Sequence, residues 1–423
     1  MVMQNQSVSK LAQHIIGSEI IKLAGEVNEK IRQGEKIYNL TIGDFNPSEF
    51  PIPQELKQYI IEEYQNNQTN YPPADGMAEL RQAVSQLLEQ RGQLTFRPDE
   101  ILIAGGARPI IYSIFRTLVD PEDKVVFATP SWNNNHYTYL NQGQACVIEA
   151  SPEQNFMPNA KDIAPYITEA RLIALCSPQN PTGTVFTKHG LEEICDMILA
   201  ENKRREGKLK PLYLMYDQIY WALTYDGIQH YNPVQLRPDM RDYTVFVDGV
   251  SKSLAATGVR VGWSMGPKFI IDKMKAILTH IGAWAPKPEQ LAVARYLSDL
   301  KTYDAFLVEQ KSKLSARLQG FYKGFNLLKS EGYKVEAVSP QAAIYLTVKF
   351  NLHGMKKPNG ETLNSTQDIT RYLLDEAKLA IVPFYAFGAS ESSAWYRLSV
   401  GTCKMTDIDG IISNLRTALG KLN

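Results

Sequence analysis

Two cations lie close together near the middle of the sequence, in a setting that suits covalent chemistry. In VDGVSKSLAATGVRVGW, residues 247–263, Lys252 stands among small and hydroxyl residues, and Arg260 follows eight positions later. A lysine amine in a closed pocket has a lowered pKa and can attack a carbonyl to form a Schiff base. A guanidinium is a planar fork that matches the geometry of a phosphate. The stretch alone leaves the substrate open, and the other polar segments narrow it.

Two segments could contact a flat, phosphorylated molecule. In AGGARP, residues 104–109, Gly106 and Ala107 precede a predicted helix, and the free amides of a helix N-terminus bind phosphate. A plain tight turn explains these residues equally well. Trp132, in TPSWNNNHY, follows a predicted strand and could stack on a flat ring. An aromatic residue that closes the core is the simpler interpretation of that segment by itself.

Three further polar residues follow apolar runs. Asn180, in SPQNPTGTVF, lies in a rigid turn, and Asp217 ends the run in YLMYDQIYW with Tyr220 three residues on. Burying a carboxylate without a partner is costly. Asp217 therefore either caps a helix with Tyr220 packed beside it, or pairs with a positively charged ring nitrogen while the phenol reaches the same ring's oxygen.

Taken together, these side chains describe a pocket for a flat, cationic, phosphorylated aldehyde. The pocket would have an indole to stack on the ring, a carboxylate for the ring nitrogen, a phenol and an amide for the ring oxygen, a lysine for the aldehyde, and amides with an arginine for the phosphate. Pyridoxal 5′-phosphate fits this description, and a lysine Schiff base with an acidic partner for the ring nitrogen is how its sites are usually built. The sequence therefore predicts this cofactor.

The elements that must position these residues alternate between short strands and helices. Six apolar runs occur between residues 100 and 249, with room for a helix between most of them: ILIAG, KVVFATP, ACVIEA, RLIALCSP, LYLMYD and YTVFVDG. This pattern predicts an α/β fold with a mostly parallel sheet covered by helices on both faces. Ligands of such sheets bind beyond the carboxyl ends of the strands, where the polar segments lie.

The pattern changes at both ends of the chain. A helix is predicted from about Ser9 to Gln33, and a long helical stretch from residue 301 precedes four strand-like runs, YKVEAV, AAIYLTVKF, AIVPF and WYRLSV. We predict an N-terminal helix and arm (1–45) that joins the small domain, a large cofactor-binding domain (46–300) and a small α+β domain (301–423).

Composition limits the possible partners and compartment. The 423 residues are 44% hydrophobic and 21% charged with zero formal net charge, which argues against nucleic acid or an anionic membrane as partner. No run of about 20 apolar residues predicts a membrane span. The four cysteines include no CxxC pair, so neither a metal site nor a redox pair is indicated, and we expect reduced thiols in the cytoplasm.

The motifs resemble those of one enzyme family. YPPADGMAELRQAV, SPQNPTG, YDQIY, SKSLAATGVRVGW and YRLSVG occur in the order and at about the spacing seen in class I/II aminotransferases of the fold-type I pyridoxal-phosphate-dependent family. The likeness runs from about Leu40 to Gly401. It implies a seven-stranded type of sheet between helices, a homodimer, and transfer of the amino group of an L-amino acid to a 2-oxo acid.

The resemblance also implies roles for residues around the cofactor ring. Lys252 is expected to form the Schiff base and to act as general base, and Asp217 to pair with the ring nitrogen. Tyr220 and Asn180 are similar to residues that bond the ring oxygen, and Trp132 to the stacking aromatic.

Other roles concern the phosphate and the substrate. Arg260, with the amides of Gly106 and Ala107 opposite it, resembles the phosphate-binding set, and Tyr71 resembles a tyrosine that reaches the phosphate of the neighbouring subunit. The α-carboxylate of the substrate is expected to bind Arg397 and to approach the backbone of Gly43.

Two positions depart from the family pattern. Gly249 stands where relatives often carry serine or alanine, and Ser251 is the candidate to supply a hydroxyl to the phosphate instead. Ala107 replaces a serine, threonine or lysine, so it loses a side-chain contact to phosphate or a cation that some relatives direct at a distal carboxylate. Neither departure removes a group that the chemistry requires.

The sequence leaves the reaction partner open. β-Lyases of cysteine conjugates use the same pocket, and aminotransferase-like domains also occur as non-catalytic sensors, although no basic helix-turn-helix precedes this one. The directions of four residues that could select the substrate cannot be read from the sequence: Arg108, Trp284, Tyr345 and Phe384. The aromatic residues favour apolar or aromatic substrates weakly, and all of them could belong to the core.

Overall fold

A computed structural model describes residues 8–15, 17 and 19–423. Its strands, in chain order, are β1 Tyr38–Asn39, β2 Ile101–Ala104, β3 Lys124–Thr129, β4 Gln144–Glu149, β5 Ala170–Cys176, β6 Tyr213–Asp217, β7 Thr244–Gly249, β8 Gly262–Met265, β9 Val335–Ala337, β10 Tyr345–Phe350, β11 Leu379–Ala380, β12 Val382–Pro383 and β13 Trp395–Ser399.

The helices enclose and connect these strands. They are α1 Lys10–His14, α2 Glu19–Arg32, α3 Gln54–Gln65, α4 Ala78–Leu87, α5 Ala107–Leu118, α6 Asn134–Leu140, α7 Ala160–Ile163, α8 Lys188–Arg205, α9 Pro233–Leu236, α10 Val250–Ser253, α11 Lys268–His280, α12 Lys287–Leu297, α13 Leu300–Ser330, α14 Thr366–Glu376 and α15 Ile408–Leu419.

The large sheet has seven strands in the order β2-β8-β7-β6-β5-β3-β4. Only β8 runs antiparallel to its neighbours. Each of the six predicted apolar runs coincides with a strand, and apolar clusters bury both faces of the sheet. The mostly parallel sheet between helices is therefore confirmed. The seventh strand, β8, escaped prediction because its four residues begin at Gly262, inside the polar segment that follows Lys252.

A second, antiparallel sheet has the order β12-β13-β10-β9 and its own apolar cluster. In its centre Tyr345 pairs with Ser399 and Thr347 pairs with Arg397. The short strand β1 pairs in parallel with β11, which ties the chain just before Thr41 to the C-terminal part. The domain boundaries at residues 45/46 and 300/301 stay a prediction.

The N-terminal helical prediction was wrong in one respect. Helix α1 ends at His14, Ile15 has an extended backbone, and α2 begins at Glu19. Residues 16 and 18, which the predicted helix also covered, lie outside the described residues. Within the described part of the chain, none of the helices combines the length and the apolar character needed to cross a membrane.

Candidate active site

The polar segments meet at one edge of the large sheet. Asn180 follows β5, Asp217 ends β6, and Lys252 follows β7, and these three strands are parallel. They surround a cavity of about 710 Å³. Ten of the twelve predicted site residues line it: Gly43, Ala107, Trp132, Asn180, Asp217, Tyr220, Ser251, Lys252, Arg260 and Arg397.

Lys252 lies in the short helix α10, which begins directly after β7. Its amine donates a hydrogen bond to the carbonyl of Gly43 at 2.6 Å. Burial lowers the pKa of this amine to about 8, and the nearby cations Arg397, Arg108 and Arg260 act in the same direction. The amine is therefore more often neutral near physiological pH than an ordinary lysine, which makes it a better nucleophile and base.

Asp217 is a buried carboxylate that lacks a cationic partner within the described part of the chain. One of its oxygens accepts a hydrogen bond from the amide of Ile219 at 3.0 Å. Burial raises the pKa of the carboxyl group to about 6. A cation placed against Asp217 from the cavity would offset this cost of burial.

Tyr220 forms part of a buried pair of phenols. Its hydroxyl lies 2.5 Å from the hydroxyl of Tyr345, and the two rings meet edge to face. Burial raises the pKa of both phenols. Tyr345 belongs to β10 of the antiparallel sheet, so the pair joins the two sheets across the cavity.

One end of the cavity offers donors for an anion. Ala107 is the first residue of α5, so its amide has no partner within the helix. The amide of Gly106 itself donates to the carbonyl of Ala104 at 2.7 Å, and Gly106 does not line the cavity. The guanidinium of Arg260 is held by the carbonyls of Thr257 and Gly105, at 2.9 and 2.8 Å. This end has cationic and amide donors and room for a phosphate.

Close backbone approach explains the glycine at position 249. A Cβ atom there would lie 2.8 Å from the Cα of Gly262 and 2.9 Å from the carbonyl oxygen of Val261. Serine or alanine therefore does not fit unless β7 and β8 move apart. Ser251, which is buried, is the hydroxyl that this segment presents to the cavity.

Arg397, which also lines the cavity, is 1% exposed. It donates hydrogen bonds to Oδ1 of Asn180 at 3.0 Å and to the carbonyl of Thr41 at 2.5 Å. The rings of Tyr345 and Phe387 lie 4.7 and 4.8 Å from the centre of its guanidinium. Burial lowers the pKa of the group. This is a fixed, desolvated cation that has no carboxylate partner among the residues that the structure describes, and it is suited to bind one.

Trp132 and Arg108 stand together at the wall of the cavity. The guanidinium of Arg108 lies 5.1 Å from the centre of the Trp132 ring. Arg108 is exposed and makes no ion pair or hydrogen bond with any residue that the structure describes. Arg108 also lines the cavity, so its side chain faces the cavity.

Comparison with known proteins decides what this arrangement belongs to. The family profile described as aminotransferase class I and II matches residues 35–415. The chain belongs to this family. It is a pyridoxal-phosphate-dependent aminotransferase, and the family and fold predicted from the motifs are confirmed.

Individual relatives support the aminotransferase assignment along the whole chain. An aspartate aminotransferase of Rhizobium meliloti (strain 1021) is 27% identical over 91% of this chain and 90% of that protein. A bifunctional aspartate aminotransferase and glutamate/aspartate-prephenate aminotransferase of Petunia hybrida is 28% identical over 90% of this chain and 77% of that protein.

Solved structures show the same similarity in three dimensions. The aspartate aminotransferase from Rhizobium meliloti superposes with a TM-score of 0.88 at 26% identity, covering 99% of this chain and all of that one. An aromatic aminotransferase from Pyrococcus horikoshii superposes with a TM-score of 0.80 at 25% identity, covering 93% and 98%. The aminotransferase fold is therefore shared by relatives with different named substrates.

Three aromatic residues considered from the sequence do not line the cavity of this aminotransferase. Tyr71 is 81% exposed, and its ring lies 5.3 Å from that of Trp284. Phe384 is buried among Phe156 and Phe387. Tyr345, in contrast, lines the cavity. Of the four residues left open by the sequence, Arg108 and Tyr345 face the site.

Sequence reasoning missed several contacts of the aminotransferase site. The ring centre of Phe45 lies 5.9 Å from the Lys252 amine, and the Thr41 carbonyl holds Arg397. Both flank Gly43 in LTIGDFNP, so that motif contained the signal. Gln310 donates to the backbone carbonyl of Lys252 at 3.1 Å from within α13. A lone glutamine in a long helix carries no sequence signal of such a role.

Proposed function

We propose that this aminotransferase binds pyridoxal 5′-phosphate in the cavity. In this proposal Lys252 carries the cofactor and transfers the proton on Cα of the amino acid. The observation that carries the proposal is the position of the Lys252 amine. It is buried, has a lowered pKa, and shares the cavity with the Asp217 carboxylate and the Arg397 guanidinium, neither of which forms a salt bridge with a described residue. When bound, the cofactor supplies an electron sink for the charge that develops at Cα of the amino acid.

The lining fits the groups of the cofactor. Asp217, which has no cationic partner among the described residues, matches a protonated ring nitrogen, and Trp132 offers a face for the ring. Since Oδ1 of Asn180 already accepts from Arg397, its amide nitrogen is left to donate to the ring oxygen together with Tyr220.

The phosphate of the cofactor fits the anion end of the cavity. The Ala107 amide, the Ser251 hydroxyl and the Arg260 guanidinium are the proposed donors. The Gly106 amide was also predicted to bind phosphate, and here it donates to the carbonyl of Ala104, so we do not include it among the proposed donors.

The substrate would be held by its α-carboxylate. Arg397 presents a desolvated guanidinium for this group, and Gly43 lies beside it with its carbonyl on the Lys252 amine. Fixing the carboxylate at one end orients the Cα–H bond towards Lys252, which takes the proton as a base and later returns it as an acid. Lys252 can do both because burial keeps its pKa near 8.

We further propose that the amino donor is an acidic amino acid, with Arg108 binding the distal carboxylate. The relatives described above are named for aspartate or for glutamate and aspartate. Arg108 is a cation on the cavity wall that lacks an acidic partner among the described residues, and its charge acts on Lys252. Ala107 provides no cation, so Arg108 is the candidate to replace it.

A panel of amino acids tests this assignment. Single-turnover absorbance of the reconstituted enzyme should be fastest with aspartate or glutamate, and Arg108→Gln should lower kcat/KM for them by about 10- to 100-fold while alanine is unaffected. Arg116→Gln, which removes an exposed arginine from the other end of α5, is the control. Equal losses for alanine and aspartate would refute a distal-carboxylate role.

We also propose a cytoplasmic homodimer in which Tyr71 serves the neighbouring site. Tyr71 is exposed outside the cavity of its own chain, and the four cysteines are free thiols. Tyr71→Ala and Lys252→Ala subunits should each be inactive alone. Mixed dimers should regain activity, because one of their sites then has both residues. Mixed dimers that stay inactive would contradict a role in trans.

A further inference from the structure

In the buried phenol pair, the direction of the hydrogen bond between the two hydroxyls is open, and the proposed cofactor site would fix it. The hydroxyls of Tyr220 and Tyr345 lie 2.5 Å apart, and either can be the donor. Each phenol has only one proton. If Tyr220 donates to Tyr345, Tyr220 has no proton left to donate into the cavity. If Tyr345 donates to Tyr220, the Tyr220 proton is free to point at a ligand.

We propose that Tyr345 is a positioning residue whose hydroxyl donates to the Tyr220 oxygen and thereby directs the Tyr220 proton into the cavity. The inference rests on the proposed role of Tyr220 at the cofactor ring oxygen. It adds a residue of the second sheet that acts through Tyr220 and does not touch the ring oxygen itself.

The charges around the pair favour this direction. The guanidinium of Arg397 lies over the Tyr345 ring at 4.7 Å, and a cation on a phenol ring stabilises the negative charge that develops when the hydroxyl donates. Arg397, Asp44, Cys176 and Lys252 are the charged or titratable groups that face the two phenols. The Arg397 guanidinium lies closer to the Tyr345 ring, at 4.7 Å, than the Lys252 amine lies to the Tyr220 ring, at 5.8 Å, so Tyr345 is the stronger donor of the pair.

Burial of both phenols makes the hydrogen bond between them matter for the site. Tyr345 is 1% exposed and Tyr220 is 2% exposed, so water does not replace the bond. Hydrogen bonds in series polarise one another, and an incoming bond from Tyr345 makes Tyr220 a better donor to a ring oxygen. A stronger bond to that oxygen weakens its hold on the proton that it shares with the Lys252 nitrogen. Tyr345 should therefore lower the pKa of the lysine-bound cofactor.

A pH titration of the visible absorption band of the reconstituted holoenzyme tests the proposal. Tyr345→Phe should raise the apparent pKa of the band by about 0.4 to 1 unit, the equivalent of one ordinary hydrogen bond. Tyr220→Phe should raise it by at least as much. Adding Tyr345→Phe to Tyr220→Phe should change nothing further, because the effect passes through Tyr220.

Tyr225→Phe is the matched control. Its hydroxyl is also buried and donates to the carbonyl of Ala343 at 2.5 Å, beside β10, but Tyr225 does not line the cavity. It should leave the band pKa unchanged, and far-ultraviolet circular dichroism should confirm that every variant is folded. A purely structural role of Tyr345 would instead lower thermal stability without moving the band.

The outcomes separate this inference from the proposed function. If the wild type forms the band but Tyr345→Phe leaves its pKa unchanged or lowers it, the role of Tyr345 alone is overturned. An equal shift in the Tyr220→Phe background overturns that role as well. Wild-type protein that forms no band with the cofactor overturns both. A rise in Tyr345→Phe that vanishes in the double variant supports both.

Discussion

The two arginines of the cavity differ in how the protein holds them before any ligand arrives. Arg397, at the end that we call the carboxylate end, is buried, bonded to Asn180 and Thr41, and stacked between two rings. Arg108, at the end that we call the side-chain end, is exposed, and its guanidinium lies over the ring of Trp132. One arginine is fixed in position, whereas the other is free to adjust.

This difference matches what amino acids share and what distinguishes them. Every amino acid has an α-carboxylate, and a rigid desolvated cation binds it with little loss of side-chain entropy. Side chains vary, and a flexible exposed cation can pair with an acidic one or move aside for another. We infer that the carboxylate end sets the rate for all substrates and that the side-chain end sets the preference among them.

The largest effect should come from Lys252, the residue that is proposed to carry the cofactor. Lys252→Ala should lower kcat by at least about 10⁴-fold for every amino acid, because it removes the attachment of the cofactor and the proton-transfer group together. Borohydride reduction followed by peptide mapping should find the cofactor on Lys252 in the wild type.

Lys311 provides the control for this variant. Burial lowers its pKa as well, yet it lies outside the cavity. Lys311→Ala should keep both activity and cofactor attachment. A Lys252→Ala enzyme that transfers amino groups at nearly the wild-type rate would contradict the proposed role of Lys252.

The carboxylate end is expected to affect all substrates alike. Arg397→Lys should lower kcat/KM by about 10²- to 10³-fold for alanine, aspartate and tyrosine, because an ammonium cannot make the paired planar contacts. The cofactor should stay bound. Steady-state kinetics with the three amino acids measures this.

Arg317→Lys separates loss of a buried arginine from loss of this site. Arg317 is also buried and donates to Glu49 and to the Cys403 carbonyl, away from the cavity. It should cost stability without changing KM. If Arg397→Lys affected aspartate alone, the assignment of the two ends would have to be exchanged.

The positions of three of these groups were largely predictable, because each of the three ends or follows an apolar run. Lys252, Asp217 and Asn180 come after strands of one parallel sheet, and their carboxyl ends necessarily meet at the same edge. The presence of Arg397 in the cavity was implied only by the resemblance, because Arg397 lies in β13, which belongs to the other sheet.

Contacts between the two sheets were not predictable in the same way. The 2.5 Å approach of Tyr345 to Tyr220 joins residues 125 positions apart and depends on how the sheets pack. The same holds for Gln310 on the Lys252 carbonyl. The direction of Arg108 depends on the turn of α5, and the gap between α1 and α2 depends on backbone angles at Ile15, which apolar periodicity does not reveal.

Asp217 is a third charged group of the cavity, and it forms no salt bridge with any residue that the structure describes. Its pKa is raised from 3.8 to about 6, so the folded state binds this proton more tightly than the unfolded chain does. Its contribution to stability is therefore present below pH 4 and is lost as pH rises through 6. Asp217→Asn should stabilise the cofactor-free protein at pH 7 by about 1 to 3 kcal/mol and have little effect below pH 4. The affinity of the Asp217→Asn variant for the cofactor should fall.

Urea unfolding of the cofactor-free protein between pH 4 and 7 measures this difference. Asp196→Asn supplies a control of opposite sign, because the hydrogen bond from Arg237 lowers the pKa of Asp196. That variant should already be a little less stable than the wild type at pH 4 and should stay so up to pH 7. An Asp217→Asn protein less stable than the wild type at pH 7 would mean that Asp217 already has a partner.

The smallest effect concerns the rings that hold Arg397. Phe387→Leu removes one of the two ring faces against the guanidinium, 4.8 Å from its centre. Since a cation–π contact contributes about 0.5 to 2 kcal/mol, KM should rise by about 2- to 30-fold for all amino acids alike. Phe384→Leu makes the same change in the neighbouring buried ring, which does not touch Arg397. It should lower stability to a similar degree but leave KM unchanged. Equal KM changes in both variants would mean that general packing, and not the stacked rings, holds the carboxylate end rigid.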